Sequence, residues 1–243
     1  MKLKTDQELL EIVRRNYQEI AADFNTTRKK EIWPKIRELA EFVPDKSKIL
    51  DVGCGNGRLL EALTNKQINY LGVDNSPALI KIAQTNYPSN NFKVHDLLNL
   101  SRLSENNFDY IFCLAVLQHI PGRELRLQAL KEMKSKLAPN GQLIISVWNL
   151  WKNTKYRTLL FKNYWLKITG RNNLGFNDLL FSWKNSRGEK TSERYYHAFT
   201  KKELKKLVRL ANLKPQKLER DRHNYWYILK TRRKFASGSK KGS

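Results

Sequence analysis

The residues best suited to chemistry lie in a glycine-rich turn at the end of an apolar segment. The sequence from Asp51 to Gly57 reads Asp-Val-Gly-Cys-Gly-Asn-Gly. Glycine has no Cβ, so the backbone of such a turn can approach a ligand closely. A dinucleotide-binding fingerprint would need its third glycine at position 58, where the chain has Arg58. The turn therefore predicts a nucleotide-type site that differs from the dinucleotide-binding sites with this fingerprint.

Two further carboxylates follow later strand-like segments. Asp74 comes after a Tyr-Leu-Gly-Val segment, and Asp96 comes after Phe-Lys-Val-His. The carboxyl ends of parallel strands meet at one edge of a sheet, so we expect Asp51, Asp74 and Asp96 to lie near one another. The alternative is that each is an ordinary strand-end or helix-cap carboxylate. Asp109 begins a strand, and we expect it at the opposite edge in a structural role.

A histidine lies just beyond the fourth predicted strand. The segment Leu114 to Ile120 reads Leu-Ala-Val-Leu-Gln-His-Ile. Its position would bring His119 near a ligand bound at the glycine turn. A single histidine is more often a core or capping residue, so its position alone leaves both interpretations open.

The glycine turn resembles the first motif of the class I S-adenosylmethionine-dependent methyltransferases, because Asp51 and Gly57 fit that spacing. The resemblance implies that S-adenosylmethionine is the cofactor and that its methionine part lies along the turn. It also implies that Asp74 binds the ribose hydroxyls and that Asp96 accepts a hydrogen bond from the adenine amino group. The cofactor-binding residues predicted in this way are Asp51, Gly53, Cys54, Gly55, Asn56, Gly57, Asp74, Asn75, Asp96, Leu97 and Leu114.

Further motifs resemble the eukaryotic tRNA wobble-uridine carboxymethyl methyltransferases. The similarity covers about residues 16 to 230 with gaps, and an Arg-Tyr-Tyr-His motif before an amphipathic helix is its most specific part. Gln118 departs from the family, which often has a second histidine there, and the segment 152–193 matches poorly. The matching residues are Phe24, Thr27, Arg28, Trp33, Pro34, Ala115, Val116, His119, Arg123, Glu124, Trp148, Arg194, Tyr195, Tyr196, His197, Glu203 and Leu204.

This second resemblance implies O-methylation of the carboxylate of carboxymethyluridine in the tRNA anticodon region. A carboxylate with a pKa of about 4 is ionised at neutral pH, so it needs donors to hold it and no strong base. The predicted catalytic residues are His119, Arg28 and Arg194. The predicted substrate-binding residues are Arg28, His119, Arg123, Trp148, Arg194, Tyr195, Tyr196 and His197. The implied partners are tRNA and a small zinc-binding activator subunit.

Some of these residues also have quieter explanations. Arg28 would simply pair with acids of the N-terminal helix, and Tyr195 and Tyr196 would pack an inserted segment onto the core. Two other functions stay open for the whole chain. One is a small-molecule O-methyltransferase that uses the insertion as a lid, and the other is a non-enzymatic subunit that binds the cofactor or RNA.

The elements that must position these residues alternate between strands and helices, which predicts an α/β fold. We expect a doubly wound, mostly parallel, seven-stranded Rossmann-like sheet, with N-terminal helices and a basic insertion after the fifth strand. The predicted strands are 48–52, 70–73, 92–95, 108–113, 142–148, 215–219 and 225–230. The predicted helices are 9–20, 33–42, 58–63, 77–85, 124–137 and 200–210.

The domain prediction is a single methyltransferase domain over residues 1–231. Within it, residues 1–47 form the N-terminal helices and residues 152–193 form an insertion on the substrate side. The sequence of this insertion is aromatic, basic and poorly periodic. We expect the basic tail 232–243 to be disordered.

The charge of the chain is strongly positive and uneven. The 243 residues include 46 Lys and Arg against 23 Asp and Glu, a net charge of +23. Residues 151–243 hold 25 of these cations and 6 of the acids, so this part carries +19. Such an asymmetry indicates a surface for nucleic acid or an acidic membrane, and the alternative is a solvated lysine-rich surface.

Composition also limits the setting in which the protein works. No apolar run approaches the roughly 18 residues needed to span a bilayer, and the N-terminal sequence is not that of a signal peptide. We therefore expect a cytoplasmic protein with no membrane partner. Cys54 and Cys113 have no second cysteine at metal-ligand spacing, so we expect two reduced core thiols and no metal.

Overall fold

The computed structural model describes residues 4–27, 32–184 and 190–231. The predicted disorder of residues 232–243 and the predicted role of Arg28 lie outside the described residues. The helices are α1 (Asp6–Glu19), α2 (Ala21–Thr27), α3 (Pro34–Glu41), α4 (Pro77–Asn86), α5 (Arg123–Ser135), α6 (Thr154–Ile168) and α7 (Lys201–Leu210). The strands are β1 (Lys48–Val52), β2 (Asn69–Asp74), β3 (Asn91–Val94), β4 (Phe108–Leu114), β5 (Leu137–Trp148), β6 (Asp178–Lys184), β7 (Lys190–His197), β8 (Leu213–Arg220) and β9 (Asn224–Thr231).

Seven of the strands form one sheet in the order β3-β2-β1-β4-β5-β9-β8. The first five are parallel, whereas β9 runs antiparallel to both of its neighbours. The strand order reverses between β1 and β4, which is where open α/β sheets bind their ligands. The predicted fold class, a doubly wound and mostly parallel sheet, is confirmed.

Apolar layers cover both faces of this sheet. Neighbouring residues of a strand point to opposite faces, so Leu50 and Ile49 belong to different layers. Helices α5 and α7 cover the first face through Leu130 and Leu207. Helices α3 and α4 cover the second. These two layers fix the central strands, and with them the loops at the carboxyl edge.

The predicted elements differ from the observed ones in a few places. The predicted helix 58–63 is a short 3-10 helix, Arg58–Ala62, and the fifth strand begins five residues earlier than predicted, at Leu137. Further 3-10 helices occupy Leu97–Arg102, Leu117–His119 and Leu150–Lys152. The fifth strand is longer because Leu137, before the predicted proline-containing turn, also pairs with β4. The register of the two strands shifts between this pair and the pair of Tyr110 with Gln142.

The inserted segment is more regular than its sequence indicates. It contains α6 and a two-stranded hairpin of β6 and β7, and it extends past the predicted end at residue 193 to His197. The apolar side chains of α6 lie on more than one side of the helix, since Leu160 is buried while Phe161 and Trp165 are exposed. A single apolar stripe is therefore missing, and periodicity does not reveal this helix.

A buried ionic cluster fastens the hairpin to the domain. The two ring nitrogens of His197 lie 2.6 Å from Asp178 Oδ1 and 2.8 Å from Glu203 Oε1. The Tyr195 hydroxyl also donates to Asp178, and the Arg126 guanidinium lies 3.5 Å from Glu203. The cluster thus joins β6 and β7 to α5 and α7. We call these five residues the hairpin clamp.

The hairpin clamp favours ionised carboxylates. Burial of Asp178 opposes its ionisation, but the hydrogen bond and charge of His197, together with Tyr195, hold its pKa below the usual value. Burial also opposes the ionisation of Glu203, but its contacts with His197 and Arg126 outweigh burial and lower its pKa. An acid with a lowered folded-state pKa stabilises the fold above its unfolded-state pKa, and this contribution disappears as the pH falls through the folded-state pKa.

We predict that Asp178→Asn lowers the free energy of unfolding by about 2 kcal/mol at pH 7, because it removes a charged acceptor of buried hydrogen bonds. The loss should shrink as the pH falls below about 4. Denaturant unfolding of both proteins across this range measures the effect. Glu19→Gln, which removes an exposed ion pair with Arg15, is the control and should change little. A loss that is the same at every pH would contradict the account.

Candidate active site

A cavity of about 420 Å³ lies at the carboxyl edge of β1, β2 and β4 and is covered by α1. This volume is within the range of small-molecule and cofactor sites. The sheet supplies its floor through the loops that follow the three strands. The N-terminal helix forms its cover because Leu9 and Ile12 pack against Tyr195 and Leu174 of the inserted segment.

The glycine turn forms one wall of the cavity. Gly53 and Gly55 have φ values of +70° and +57°, which L side chains rarely adopt. A Cβ on Gly53 would come within 2.4 Å of a Val116 methyl group, and one on Gly55 would come within 3.2 Å of the Phe24 ring. The amides of Gly53 and Cys54 both donate to the carbonyl of Val73. The turn is thus held against β2, and a side chain at either glycine would collide with Val116 or Phe24.

Asp74 is built into this wall by backbone hydrogen bonds. Its Oδ2 accepts from the Gly55 amide at 3.0 Å and its Oδ1 from the Ser76 amide at 2.9 Å. Burial raises the pKa of Asp74, while these bonds and one from Asn75 oppose the rise. Each carboxylate oxygen can accept a second hydrogen bond. The residue is therefore suited to hold a ligand with adjacent hydroxyl groups.

Asp96 and Leu97 form the next part of the wall. Asp96 caps the 3-10 helix that follows β3, where its Oδ1 accepts from the Leu98 amide at 2.8 Å. Leu97 is buried beside it. An exposed carboxylate next to an apolar side chain suits the edge and face of a heterocycle. Together with the glycine turn and Asp74, these residues fit an adenosine-containing ligand.

Asp51 lies deeper, beneath the glycine turn. Its Oδ2 accepts from the Tyr70 hydroxyl at 2.8 Å. Burial raises its pKa to about 7, the hydrogen bond from Tyr70 opposes the rise, and the charge of Asp74 adds to it. The cavity thus has an acidic floor that would gain from a positively charged ligand.

Aromatic side chains surround His119 at the other end of the cavity. Its Nε2 lies 2.8 Å from the Tyr17 hydroxyl of α1. The rings of Trp148 and Tyr196 lie 6.0 and 5.0 Å from the imidazole. Ala115 turns the chain toward this end with a φ of +56°, and its amide donates to Ser146. We call His119, Tyr17, Trp148 and Tyr196 the aromatic cage.

Most of the predicted site residues come together around this one cavity. Gly57 lies just outside it, before the 3-10 helix. Asp109 lies at the opposite edge of the sheet, where it accepts from the Lys48 amide, in the structural position predicted for it. The predicted residues that line the cavity are Asp51, Gly53, Cys54, Gly55, Asn56, Asp74, Asn75, Asp96, Leu97, Leu114, His119 and Trp148.

The motif Arg-Tyr-Tyr-His on β7 is divided between two environments, because alternate residues of a strand face opposite ways. Tyr196 belongs to the aromatic cage, and its hydroxyl accepts from Arg194 Nη1 at 3.3 Å. Tyr195 and His197 point the other way into the hairpin clamp. Arg123 is exposed at the start of α5, away from the cavity.

The contribution of α1 to the cavity was not predicted from the sequence. Tyr17 contacts His119, and Glu11 and Arg14 also line the cavity. The apolar period of α1 identified its buried face, but it did not indicate which residues the polar side chains beside that face would contact. Asn25 of α2 was missed as well, although its side chain accepts from Asn56 of the glycine turn.

Other expectations concern metals, thiols and membranes. Among the described residues, no group of three or more His, Cys, Asp or Glu side chains is placed to hold a metal ion. Cys54 and Cys113 are both buried and unpaired. No helix in the part of the chain that the structure describes is long and apolar enough to cross a membrane.

Comparison with known proteins gives consistent matches. A family model described as a methyltransferase domain matches residues 24–218. The tRNA (carboxymethyluridine(34)-5-O)-methyltransferase of Saccharomyces cerevisiae is 38% identical over 147 residues, which are 60% of this chain and 51% of that protein. The protein of the same name from Schizosaccharomyces pombe is 29% identical over 236 residues, 90% of this chain and 95% of that protein. The chain thus spans about half of the first relative and nearly all of the second.

Solved structures share the fold at lower identity. An S-adenosylmethionine-dependent methyltransferase from Methanosarcina mazei has a TM-score of 0.66 and 21% identity, covering 83% of this chain and 99% of its own. A putative methyltransferase from Haloferax volcanii, solved in complex with the Trm112 methyltransferase activator, has a TM-score of 0.58 and 17% identity. That match covers 84% of this chain and 78% of the other.

We predict that Asp51→Asn stabilises the ligand-free protein in a pH-dependent way. The unfolded chain ionises Asp51 near its ordinary pKa, whereas the folded chain keeps the proton up to about pH 7. The wild-type protein therefore loses stability relative to the variant as the pH rises through this window, by about 1.4 kcal/mol for each pKa unit.

The measurement is unfolding at pH 4, 5.5 and 7.5 without ligand. Asp109→Asn, at the opposite edge of the sheet, is the matched control and should show no such trend. A stability difference for Asp51→Asn that does not change with pH would show that the buried carboxyl is not the cause.

Proposed function

The chain belongs to the methyltransferase domain family, and we propose that it methylates the carboxylate of a carboxymethyl wobble uridine in tRNA, with S-adenosylmethionine as the methyl donor. The observation that carries the proposal is a single cavity with a carboxylate-lined nucleotide end and an aromatic, histidine-centred end. The names of the two yeast relatives support the choice of substrate.

The nucleotide end holds the donor. Asp74 would accept from the ribose hydroxyls, and Asp96 with Leu97 would border the adenine. Gly53 and Gly55 permit the positive-φ backbone of the turn along which the rest of the donor would lie. Bound S-adenosylmethionine supplies an electrophilic methyl group on a positively charged sulfur. A positive charge at the sulfur would favour ionisation of the Asp51 carboxyl, which burial opposes.

The aromatic cage holds the acceptor. The substrate carboxylate is ionised at neutral pH, so it needs positioning and no general base. His119 and Arg194 would hold it by hydrogen bonds, with Trp148 and Tyr196 against the base. Transfer forms an O–CH₃ bond and breaks the S–CH₃ bond, whose electron pair remains on sulfur. No proton has to move.

Other predicted residues have different standing in this proposal. Arg28 keeps its predicted role as a second cationic donor. Arg123 keeps a predicted RNA contact at the surface. Tyr195 and His197 act through the hairpin clamp, which holds Arg194 and Tyr196 in place, so we assign them a positioning role. A tRNA substrate also fits the predicted cytoplasmic location.

An activator subunit is part of the proposal. The Haloferax volcanii methyltransferase was solved with the Trm112 activator, and we propose a small zinc-binding partner of that kind for this chain. A small-molecule O-methyltransferase is the competing function. Such an enzyme would not need the +19 charge of residues 151–243, and this excess favours RNA.

The experiment is transfer of labelled methyl to tRNA from cells blocked in wobble-uridine esterification, compared with tRNA that lacks the carboxymethyl group. It is run with and without a co-expressed activator. We expect label only in the first tRNA. Label in both tRNAs, or in neither when the activator is present and the cofactor binds, would contradict the proposed substrate.

We predict that Asp74→Ala and Arg194→Ala separate binding of the donor from binding of the acceptor. Asp74→Ala should weaken S-adenosylmethionine binding at least about tenfold, because it removes charge-assisted hydrogen bonds. Arg194→Ala should leave that affinity unchanged and lower kcat/KM for carboxymethylated tRNA at least about tenfold. Calorimetry and initial rates measure the two effects.

Arg209→Ala, an exposed cation of α7, is the control for a general loss of charge. Normal cofactor affinity in Asp74→Ala would remove its assignment. Unchanged turnover in Arg194→Ala would place the acceptor elsewhere.

A further inference from the structure

Helix α6 exposes a continuous apolar face. Phe161, Tyr164, Trp165 and Ile168 are 57%, 44%, 65% and 55% exposed. Residues three and four apart in a helix are neighbours, so these four lie together. Phe176, 51% exposed, extends the group, since its ring lies 5.5 Å from that of Tyr164. We call these five residues the α6 aromatic face. Contiguous exposed apolar surface of this kind marks an interaction site.

Positive charge surrounds the α6 aromatic face. The sequence has no Asp or Glu from residue 133 to residue 177. The ammonium group of Lys167 lies 5.3 Å from the centre of the Phe176 ring. Aromatic rings among cations suit single-stranded nucleic acid, whose bases stack while its phosphates meet the charges. The cations between residues 150 and 177 are Lys152, Lys155, Arg157, Lys162, Lys167 and Arg171.

Helix α6 also connects this face to the cavity. Near its N-terminus, Tyr156 packs against Tyr196 at 6.1 Å, and Tyr196 belongs to the aromatic cage. The helix has 15 residues, so it extends for about 22 Å. If a nucleotide is bound in the aromatic cage, the RNA strand next to it would extend along this helix. A small-molecule substrate would be too short to reach Trp165.

We propose that the α6 aromatic face binds single-stranded RNA that flanks the nucleotide in the cavity. Bases stack on Trp165 and Phe161, and phosphates contact the neighbouring lysines and arginines. The charge of the segment favours RNA over an apolar protein partner. This inference rests on the proposed RNA substrate, and it assigns to α6 the binding of sequence next to the reacting base.

The first test measures binding without any methyl transfer. The probe is an unmodified anticodon stem-loop RNA with a fluorescent label, titrated with the full chain. We expect Phe161→Ala with Trp165→Ala to weaken binding about tenfold or more, because each base-aromatic stack contributes substantially. Trp165→Phe, which keeps a ring, should bind nearly as tightly as wild type. Phe42→Ala removes an aromatic ring that is 71% exposed on another face, and it should have no effect.

The second test measures turnover. The double variant should raise KM for the carboxymethylated stem-loop about tenfold with kcat unchanged, and it should leave methylation of the corresponding mononucleotide unaltered. If wild type with its co-expressed activator methylates neither substrate, the proposed function fails, and the binding test still judges the α6 aromatic face independently.

Wild-type RNA affinity in the double variant would overturn the inference. If that variant also lost its binding to anionic phospholipid vesicles, the face would be assigned to a membrane surface.

Discussion

The site depends on the close approach of the glycine turn to the end of β2. The amides of Gly53 and Cys54 bond to Val73, and the amide of Gly55 bonds to Asp74. This geometry requires backbone with positive φ, which glycine adopts without strain. It places the Asp74 carboxylate beside the turn at the wall of the cavity that Asp51 also lines. The two apolar layers of the sheet hold β1 and β2 in the register that the turn requires.

The other end of the cavity depends on parts distant in sequence. His119 follows β4, Trp148 ends β5, Tyr196 lies on the hairpin and Tyr17 comes from α1. The hairpin clamp fixes Tyr196 by anchoring its neighbours Tyr195 and His197 in a buried ionic cluster. Because alternate residues of β7 face opposite ways, one motif serves both the cavity and the anchor. The structure of the site is therefore coupled to the ionisation of Asp178 and Glu203.

The sequence predicted the fold and the nucleotide end because both follow from local patterns. Strand-helix alternation identified the sheet, and carboxylates at strand ends identified the cavity wall. The orientation of Tyr195 could not be predicted, since it depends on the register of a hairpin pairing. Tyr17 was missed because a helical period shows only that one face is buried. The roles of Asp74, His119 and Arg194 remain predictions. Helix α6 was missed because its apolar residues face both the domain and solvent.

The acceptor that we propose is a carboxylate, and the stability of the methylated product in alkali distinguishes it from a base or a ribose. RNA labelled by the wild-type protein would be treated with mild alkali. A methyl ester releases its label as methanol and leaves the carboxymethyl group, and the account predicts this result. Label that remains on the nucleoside after such treatment would mean methylation of a base or a ribose, and it would contradict the account.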